Sequence, residues 1–410
     1  MAEAEASLSR ALRLCKLLRR AVDQHACSRD APSSRIDAAA YAAAAQRARA
    51  SRRTHVCPRC FGAGCAFQPS IERRLARTAQ HGFDRRALLR AMASGVGLAH
   101  FRLSNRTVAR VNVTKCTKPW RASRVAGFHQ MLQDTAARFP LPETELLFSC
   151  GDRMASSPYR VFRLTGAIDE DTHGPLPAFT ASPACDFSGN LPVPSFDYRA
   201  DLSWSNLDSK MAKFRELSRL VRWGDKRPTL FWRGALRSTA QDADCPSPSS
   251  QFGRARLLNL TACTLRPRDA SPPTNGTALF DVDATNLGGA FVSVARAEAY
   301  RYHACIEGDG FWSDRLGRML FSGSLLFLQR YAMSCDEWFM LLARPWEHYI
   351  PVAPDFSDLV SKVQWARDHD NEALRIRNSQ NALGHRLLNQ RTITEFLATL
   401  IHCYAPLLGA

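Results

Sequence analysis

The sequence has no long apolar run. Nothing in its 410 residues approaches the roughly 18 consecutive apolar residues of a bilayer-spanning helix, which excludes such a segment from the chain. There is no second C-x-x-C beside Cys57 and Cys60, and a tetrahedral zinc site needs four ligands. Disulfides or free thiols are therefore the leading state for Cys57, Cys60 and Cys65, with zinc the lesser alternative. There is no basic tail. Lys+Arg 55 against Asp+Glu 38 leaves a net charge of +17, but the arginines are scattered and no nucleic-acid module accompanies them. The charge points to an anionic partner such as a nucleotide phosphate or acidic glycan, not to nucleic acid. The dinucleotide fingerprint G-x-G-x-x-G is also missing, since GDGFWS at 308–313 puts Ser313 where the third glycine would stand.

What is present is globular in composition, with 45% hydrophobic and 9% aromatic residues, at a length that suits two domains. The 13 cysteines are an odd number, so several pairs plus one thiol would fit. Four Asn-x-Thr sequons, at Asn105, Asn112, Asn259 and Asn275, point to the secretory pathway. The opening MAEAEASLSRALRLCKLLRRAV has no uninterrupted signal-type apolar core. A secretory destination then requires a different amino terminus or an unusual sorting route.

Residues 1–66 read as a helical, cysteine-containing extension, with Leu8, Leu12, Leu14, Leu17 and Leu18 at helical spacing. Strands are expected at 145–150, 229–232, 302–307, 325–328 and 348–352, alternating with helices, one of them in PDFSDLVSKVQWARDH with Asp355 as its N-cap. Residues 165–205 have the Pro, Gly, Ser and Asp content of a linker and mark a domain boundary. Alternation of this kind predicts a parallel sheet with helices on both faces and a ligand at the carboxyl ends of its strands. The turns at 151–153, 233–237 and 308–315 all fall at such ends.

The last of these turns carries the most chemistry. Gly308 and Gly310 allow a sharp bend and close approach of a ligand, and Ser313 is placed to cap a helix predicted over 314–322. Arg315 adds positive charge where the helix dipole is already positive, a conflict that a bound anion removes. Gly323 ends that helix and Ser324 opens the next strand.

Three blocks, FWRG at 231–234, YRYHACIEGDGFWSDRLGRMLFSGSLLFLQ at 300–329 and EWFMLLARPWEHYIPV at 337–352, together resemble the Rumi/capsule-associated glycosyltransferases, glycosyltransferase family 90. Trp365 in the following helix and ELLFSCGDR at 145–153 extend the resemblance to roughly residues 95–405. It implies an α/β fold of GT-B type, two Rossmann-like domains facing across a cleft. Residues 67–195 would form the acceptor side, 196–385 the donor side and 386–410 a C-terminal helix. It also implies inverting transfer of glucose or xylose from a UDP-sugar to a protein or glycan hydroxyl, without metal or other cofactor, in the lumen of the endoplasmic reticulum or Golgi.

Carried over by motif, Arg233 and Gly234 line the donor site, and Arg254 and Arg315 hold the diphosphate. Ser313, Gly323 and Ser324 border the nucleotide, Gly310 belongs to the same nucleotide-sugar site, and Asp309, a further candidate for the base, more readily contacts the sugar hydroxyls. Without a metal, arginines must stabilise the charge that grows on the leaving diphosphate. A carboxylate must take the acceptor proton. In animal protein O-glucosyltransferases of this family that acid precedes a cysteine, a place that here corresponds to Lys115-Cys116. Asp152, at the end of the strand before it, is the substitute candidate. His348 reads as a structural residue before a buried strand.

Overall fold

The computed structural model describes residues 56–81, 85–94, 98–104, 106–113, 116–150, 178–180, 184–185, 190–194, 203–235, 254, 257–258, 260–261, 279–285, 289–306, 315–330, 335–353 and 356–408. The extension expected before residue 56, Lys115, Asp152, Asp309, Gly310, Ser313 and Asp355 lie outside them. In chain order the elements are α1 (Gln68–His81), α2 (Arg85–Ser94), β1 (Leu98–Ser104), β2 (Thr107–Asn112), α3 (Pro119–Arg138), β3 (Thr144–Ser149), β4 (Phe179–Thr180), β5 (Ala184–Cys185) and β6 (Leu191–Pro192). There follow α4 (Leu207–Leu217), β7 (Arg227–Gly234), β8 (Phe280–Ala284), α5 (Val294–Ala297), β9 (Tyr300–Cys305), α6 (Arg315–Met319) and β10 (Leu325–Gln329). The last are β11 (Cys335–Asp336), β12 (Ile350–Val352), α7 (Leu359–Asp368), α8 (Asp370–Leu387) and α9 (Gln390–Tyr404). The described residues form two compact units, one within 213–331 and 344–383, the other within 56–212, 332–343 and 384–408.

The first unit is built on a parallel sheet in the order β12-β10-β9-β7-β8. Its inner strand β10, LLFLQ, is an apolar run buried throughout because both its faces are covered. Leu230, Trp232, Tyr302, Ala304, Leu325, Phe327 and Ile350 share one core with Leu359, Val363 and Ala366 of α7. The helix after PDF begins later than its sequence suggests. Phe356 sits before it at φ 59° but still fills that core, and Asp358 Oδ1 accepts from Ala353 N at 2.9 Å. The helix expected over 314–322 ends at Met319, and the N–H groups of Leu320, Phe321 and Ser322 turn back to carbonyls three residues earlier. Side chains of α8 cause this. Gln380 Nε2 donates to Met319 O at 2.7 Å, and Asn381 Nδ2 donates to Leu320 O at 2.7 Å, taking the carbonyls that a longer helix would use.

The second unit carries a mixed sheet, β2-β1-β3-β4-β6. The wholly parallel expectation fails here. A tight turn containing Arg106 at φ 62° closes β1 and β2 into an antiparallel hairpin, and β1 runs antiparallel to β3 as well. Only β3, β4 and β6 run parallel. β4 and β6 come from the stretch with linker composition; Phe179, Thr180, Leu191 and Pro192 are all buried, and Pro192 is tolerated because β6 is an edge strand. Phe128 stacks on Phe148 at 4.3 Å and meets Phe101 edge-on at 5.5 Å, joining α3 to the sheet.

The cysteines of the C-x-x-C turn are bridged, Cys60 to Cys65 and Cys57 to Cys403 of α9. A further bridge joins Cys116 to Cys150, directly after β3. The segment at 61–64 is docked on α9 as well: Ala63 N donates to Glu395 Oε2 at 2.8 Å and Phe61 N to Thr399 Oγ1 at 3.0 Å. A Cβ on Gly64 would stand 2.3 Å from Glu395 O, so the approach requires glycine.

Candidate active site

FWRG is the end of β7, and its last residue is fixed by packing. A Cβ on Gly234 would meet the Trp232 ring at 2.6 Å, and Trp232 is part of the core. Beside this strand end lies a cavity of about 350 Å³ lined by Arg233, Gly234, Ala235 and Thr285 together with Arg315 and Arg318 of α6. All sit past or near the carboxyl ends of β7 and β8 or follow β9, where a parallel sheet presents its ligands.

Arginines organise the strand end. Arg315 Nη1 donates to Arg233 O at 2.5 Å and Arg254 Nη1 to Ala235 O at 2.6 Å, so two guanidiniums grip carbonyls on either side of Gly234. The Arg254 guanidinium also lies 5.9 Å from the Trp232 ring. Arg233 itself is committed to β8. Its Nη2 donates to Asp281 Oδ1 at 2.5 Å and its Nη1 to Asp281 O at 2.8 Å, while the Tyr300 hydroxyl donates to the other carboxylate oxygen. That pairing neutralises most of what Arg233 could offer an anion and makes it a brace for the turn.

Behind the cavity is a buried ionic network. Lys226 Nζ donates to Glu298 Oε2 at 3.0 Å, with side-chain exposures of 1% and 4%. Glu298 also accepts from Ser322 Oγ at 2.8 Å and from Gly323 N at 2.9 Å. His303 donates from Nε2 to Ala297 O at 2.8 Å and turns Nδ1 toward Ser322 Oγ at 3.4 Å. Burial holds the imidazole neutral by pushing its pKa down. Lys226 is likewise pushed down by burial, with Glu298 opposing the shift.

Glu298, His303 and Ser322 line the polar side of the cavity; Phe214, Leu217, Phe291, Val294 and Met319 supply an apolar side. Phe291 is 85% exposed, a phenyl ring held at the rim.

The sequence-predicted residues thus divide. Arg233, Gly234 and Arg315 meet at the cavity. Arg254 is buried and acts on the same turn through Ala235. Gly323 and Ser324 are a layer away: a Cβ on Gly323 would stand 2.3 Å from Ser218 O, and Ser324 Oγ donates to Tyr300 O at 2.5 Å. His348 is buried, its Nδ1 accepting from Arg344 N at 3.0 Å. Sequence reasoning missed Arg318, although its spacing of three from Arg315 was a visible sign of a shared helix face. It also missed Glu298, His303, Ser322 and Phe291, which carry no local signature. Among the described residues no group of three His, Cys, Asp or Glu is placed to hold a metal ion, and no helix is long and apolar enough to cross a membrane.

A cavity with guanidiniums at one side and apolar side chains at the other suits a ligand that joins an anionic to a planar or apolar part. The sequence profile described as "Glycosyl transferase family 90" matches residues 56–410. Among curated proteins, the chain is 24% identical over 281 residues to protein O-glucosyltransferase 3 of Rattus norvegicus, covering 67% of this chain and 49% of the relative. It is 30% identical over 155 residues to protein O-glucosyltransferase 2 of Danio rerio, covering 38% and 28%. Uncharacterized protein 027R of Frog virus 3 (isolate Goorha) is 38% identical over 172 residues, covering 38% and 18%. In these matches the chain spans half the length of its curated relatives or less.

Proposed function

Because the chain belongs to glycosyl transferase family 90, we propose that it is a UDP-sugar-dependent glycosyltransferase that moves glucose or xylose to a hydroxyl of a protein or glycan acceptor. The reading includes inversion at the anomeric carbon, no metal, and a GT-B arrangement with the parallel-sheet unit on the donor side. The observation that carries it is the meeting of FWRG with Arg315, 82 residues further on, at one cavity. In this reading Arg315, helped by Arg318, takes the diphosphate, and Arg254 and Arg233 hold the turn against which it lies. As the sugar leaves, the guanidiniums stabilise the charge gathering on the phosphates. Asp309, Gly310 and Ser313 complete the donor contacts. The relatives, which are protein O-glucosyltransferases by name, support glucose as the sugar and a protein as the acceptor.

Asp152 is assigned the acceptor's proton. Support comes from the bridge between Cys116 and Cys150: it ties the cysteine after Lys115, where relatives carry their acid, to the cysteine two residues before Asp152. The lysine at 115 favours a second reading, a relative that binds sugar nucleotide or glycan with little turnover. The bridges support an oxidising lumen, endoplasmic reticulum or Golgi. The test is UDP titration together with UDP release from UDP-glucose and UDP-xylose in the presence of acceptor, for wild type and Asp152→Asn. Binding with turnover that Asp152→Asn abolishes supports the transferase; binding without turnover supports the second reading; absence of UDP binding overturns the transferase and the sugar-nucleotide form of the second reading.

A further inference from the structure

Of the four sequons, Asn112-Val113-Thr114 is the one whose asparagine lies among the described residues, and its place in the fold is specific. Asn112 ends β2, the edge strand of its sheet. Every residue of β2 except Val108 is exposed, Asn112 included. The register steps from Arg110 opposite Phe101 to Asn112 opposite His100, so Val111 is bulged out of the ladder. Val111 is 46% exposed. An exposed edge with an apolar side chain beside it is a template for pairing with another chain, and natural sheets blunt such edges with charge, bulges or a cover. β2 has the bulge and the charge of Arg110; the sequon supplies the means of a cover.

We propose that Asn112 carries an N-linked glycan and that this glycan shields the open edge of β2. Asn112 Nδ2 attacks the anomeric carbon of a lipid-linked oligosaccharyl diphosphate. The bond from that carbon to the diphosphate oxygen breaks, the lipid diphosphate leaves, the carbon–Nδ2 bond forms and one amide proton is lost. Transfer to a translocating chain demands that the finished fold leave room for the sugar, and an exposed asparagine at a strand terminus does so. The inference shares with the proposed function only the premise of a luminal chain, so the two fail separately.

The experiment directs the full chain into the endoplasmic reticulum of a eukaryotic cell with a heterologous leader. The variant Asn105→Gln/Asn259→Gln/Asn275→Gln keeps Asn112 as the remaining Asn-x-Thr acceptor. Glycosidase treatment is expected to remove the mass of one glycan, and peptide mass spectrometry to find it on Asn112. Adding Asn112→Gln, or Thr114→Ala as the variant that leaves the asparagine in place, is expected to abolish the shift. An unmodified Asn112 in protein whose disulfides have formed overturns the proposal. In otherwise wild-type protein, Asn112→Gln is expected to raise the self-associated fraction measured by light scattering several-fold; an unchanged fraction overturns the shielding role.

Discussion

Arg315 Nη1 donates to the main-chain carbonyl of Arg233 at 2.5 Å. The bond joins the first residue of α6 to the end of β7, two segments of the family resemblance that are distant in the chain, and it aims the guanidinium at the strand end that lines the cavity.

Arg315→Ala is expected to weaken UDP binding about 10- to 100-fold, the equivalent of about 1.5–3 kcal/mol for a hydrogen bond to a charged group. Arg315→Lys should recover part of the loss, since it keeps the charge but not the fork. Titration calorimetry with UDP measures both, and full affinity in Arg315→Ala would remove this residue from the donor site.

Phe291 is 85% exposed at the cavity rim, so its ring adds little to folding. Phe291→Ala should leave the free energy of unfolding from denaturant titration within about 0.5 kcal/mol of wild type, while the KM for the donor rises. A lower unfolding free energy with unchanged KM would make the ring a packing element only.

Glu298→Ala leaves Lys226 buried without its carboxylate, and a loss of about 3–5 kcal/mol is expected. The double variant Lys226→Met/Glu298→Leu should recover much of it, because the unpaired charge is then gone. Urea unfolding of the three proteins separates these outcomes.

Acid should destabilise the protein from about pH 6.5 downward. Burial lowers the pKa of His303 and of His100, the latter against an opposing pull from Glu145. Below about 6.5 the unfolded chain therefore binds protons that the folded protein refuses, and stability falls with pH by up to about 1.4 kcal/mol per unit for each histidine. Burial would raise the Glu145 carboxyl, but hydrogen bonds from Arg85 and Arg102 hold it lower; its contribution is present above the ordinary carboxylate range and lost below it. Thermal unfolding from pH 7 to pH 5 should show the fall, and His303→Gln should flatten it by about one proton.

Cys57→Ala/Cys403→Ala opens a bridge between residues 346 apart in the chain. About 4 kcal/mol of stability should be lost, from the freedom restored to the unfolded chain. The loss should appear as a lower unfolding midpoint, equal to that of reduced wild type if this bridge dominates.

The strand end beside the cavity was legible in the sequence because its parts are local. FWRG reads as a buried strand end, its glycine is required by the ring of Trp232 next to it, and LLFLQ reads as a strand covered on both faces. The helix after GDGFWS was legible in place but not in length, since Gln380 and Asn381, about sixty residues further on, take its carbonyls. Phe179 and Leu191 disappear in a stretch of prolines and glycines because each strand there is two residues long, β4 forming only beside β3 and β6 only beside β4.

By itself the sequence determined four of the five strands of the parallel sheet, β8 being the one it did not show, the family, and the arginine that follows W-S. These rest on apolar runs, glycines and short motifs whose physics acts within a few residues. Tertiary structure alone decided that Cys57 pairs with Cys403, that Arg233 spends its charge on Asp281, and that Lys226 and Glu298 meet behind the cavity. Each of these is a pairing across a long loop, chosen when burial brings two groups together, and no local pattern encodes its partner.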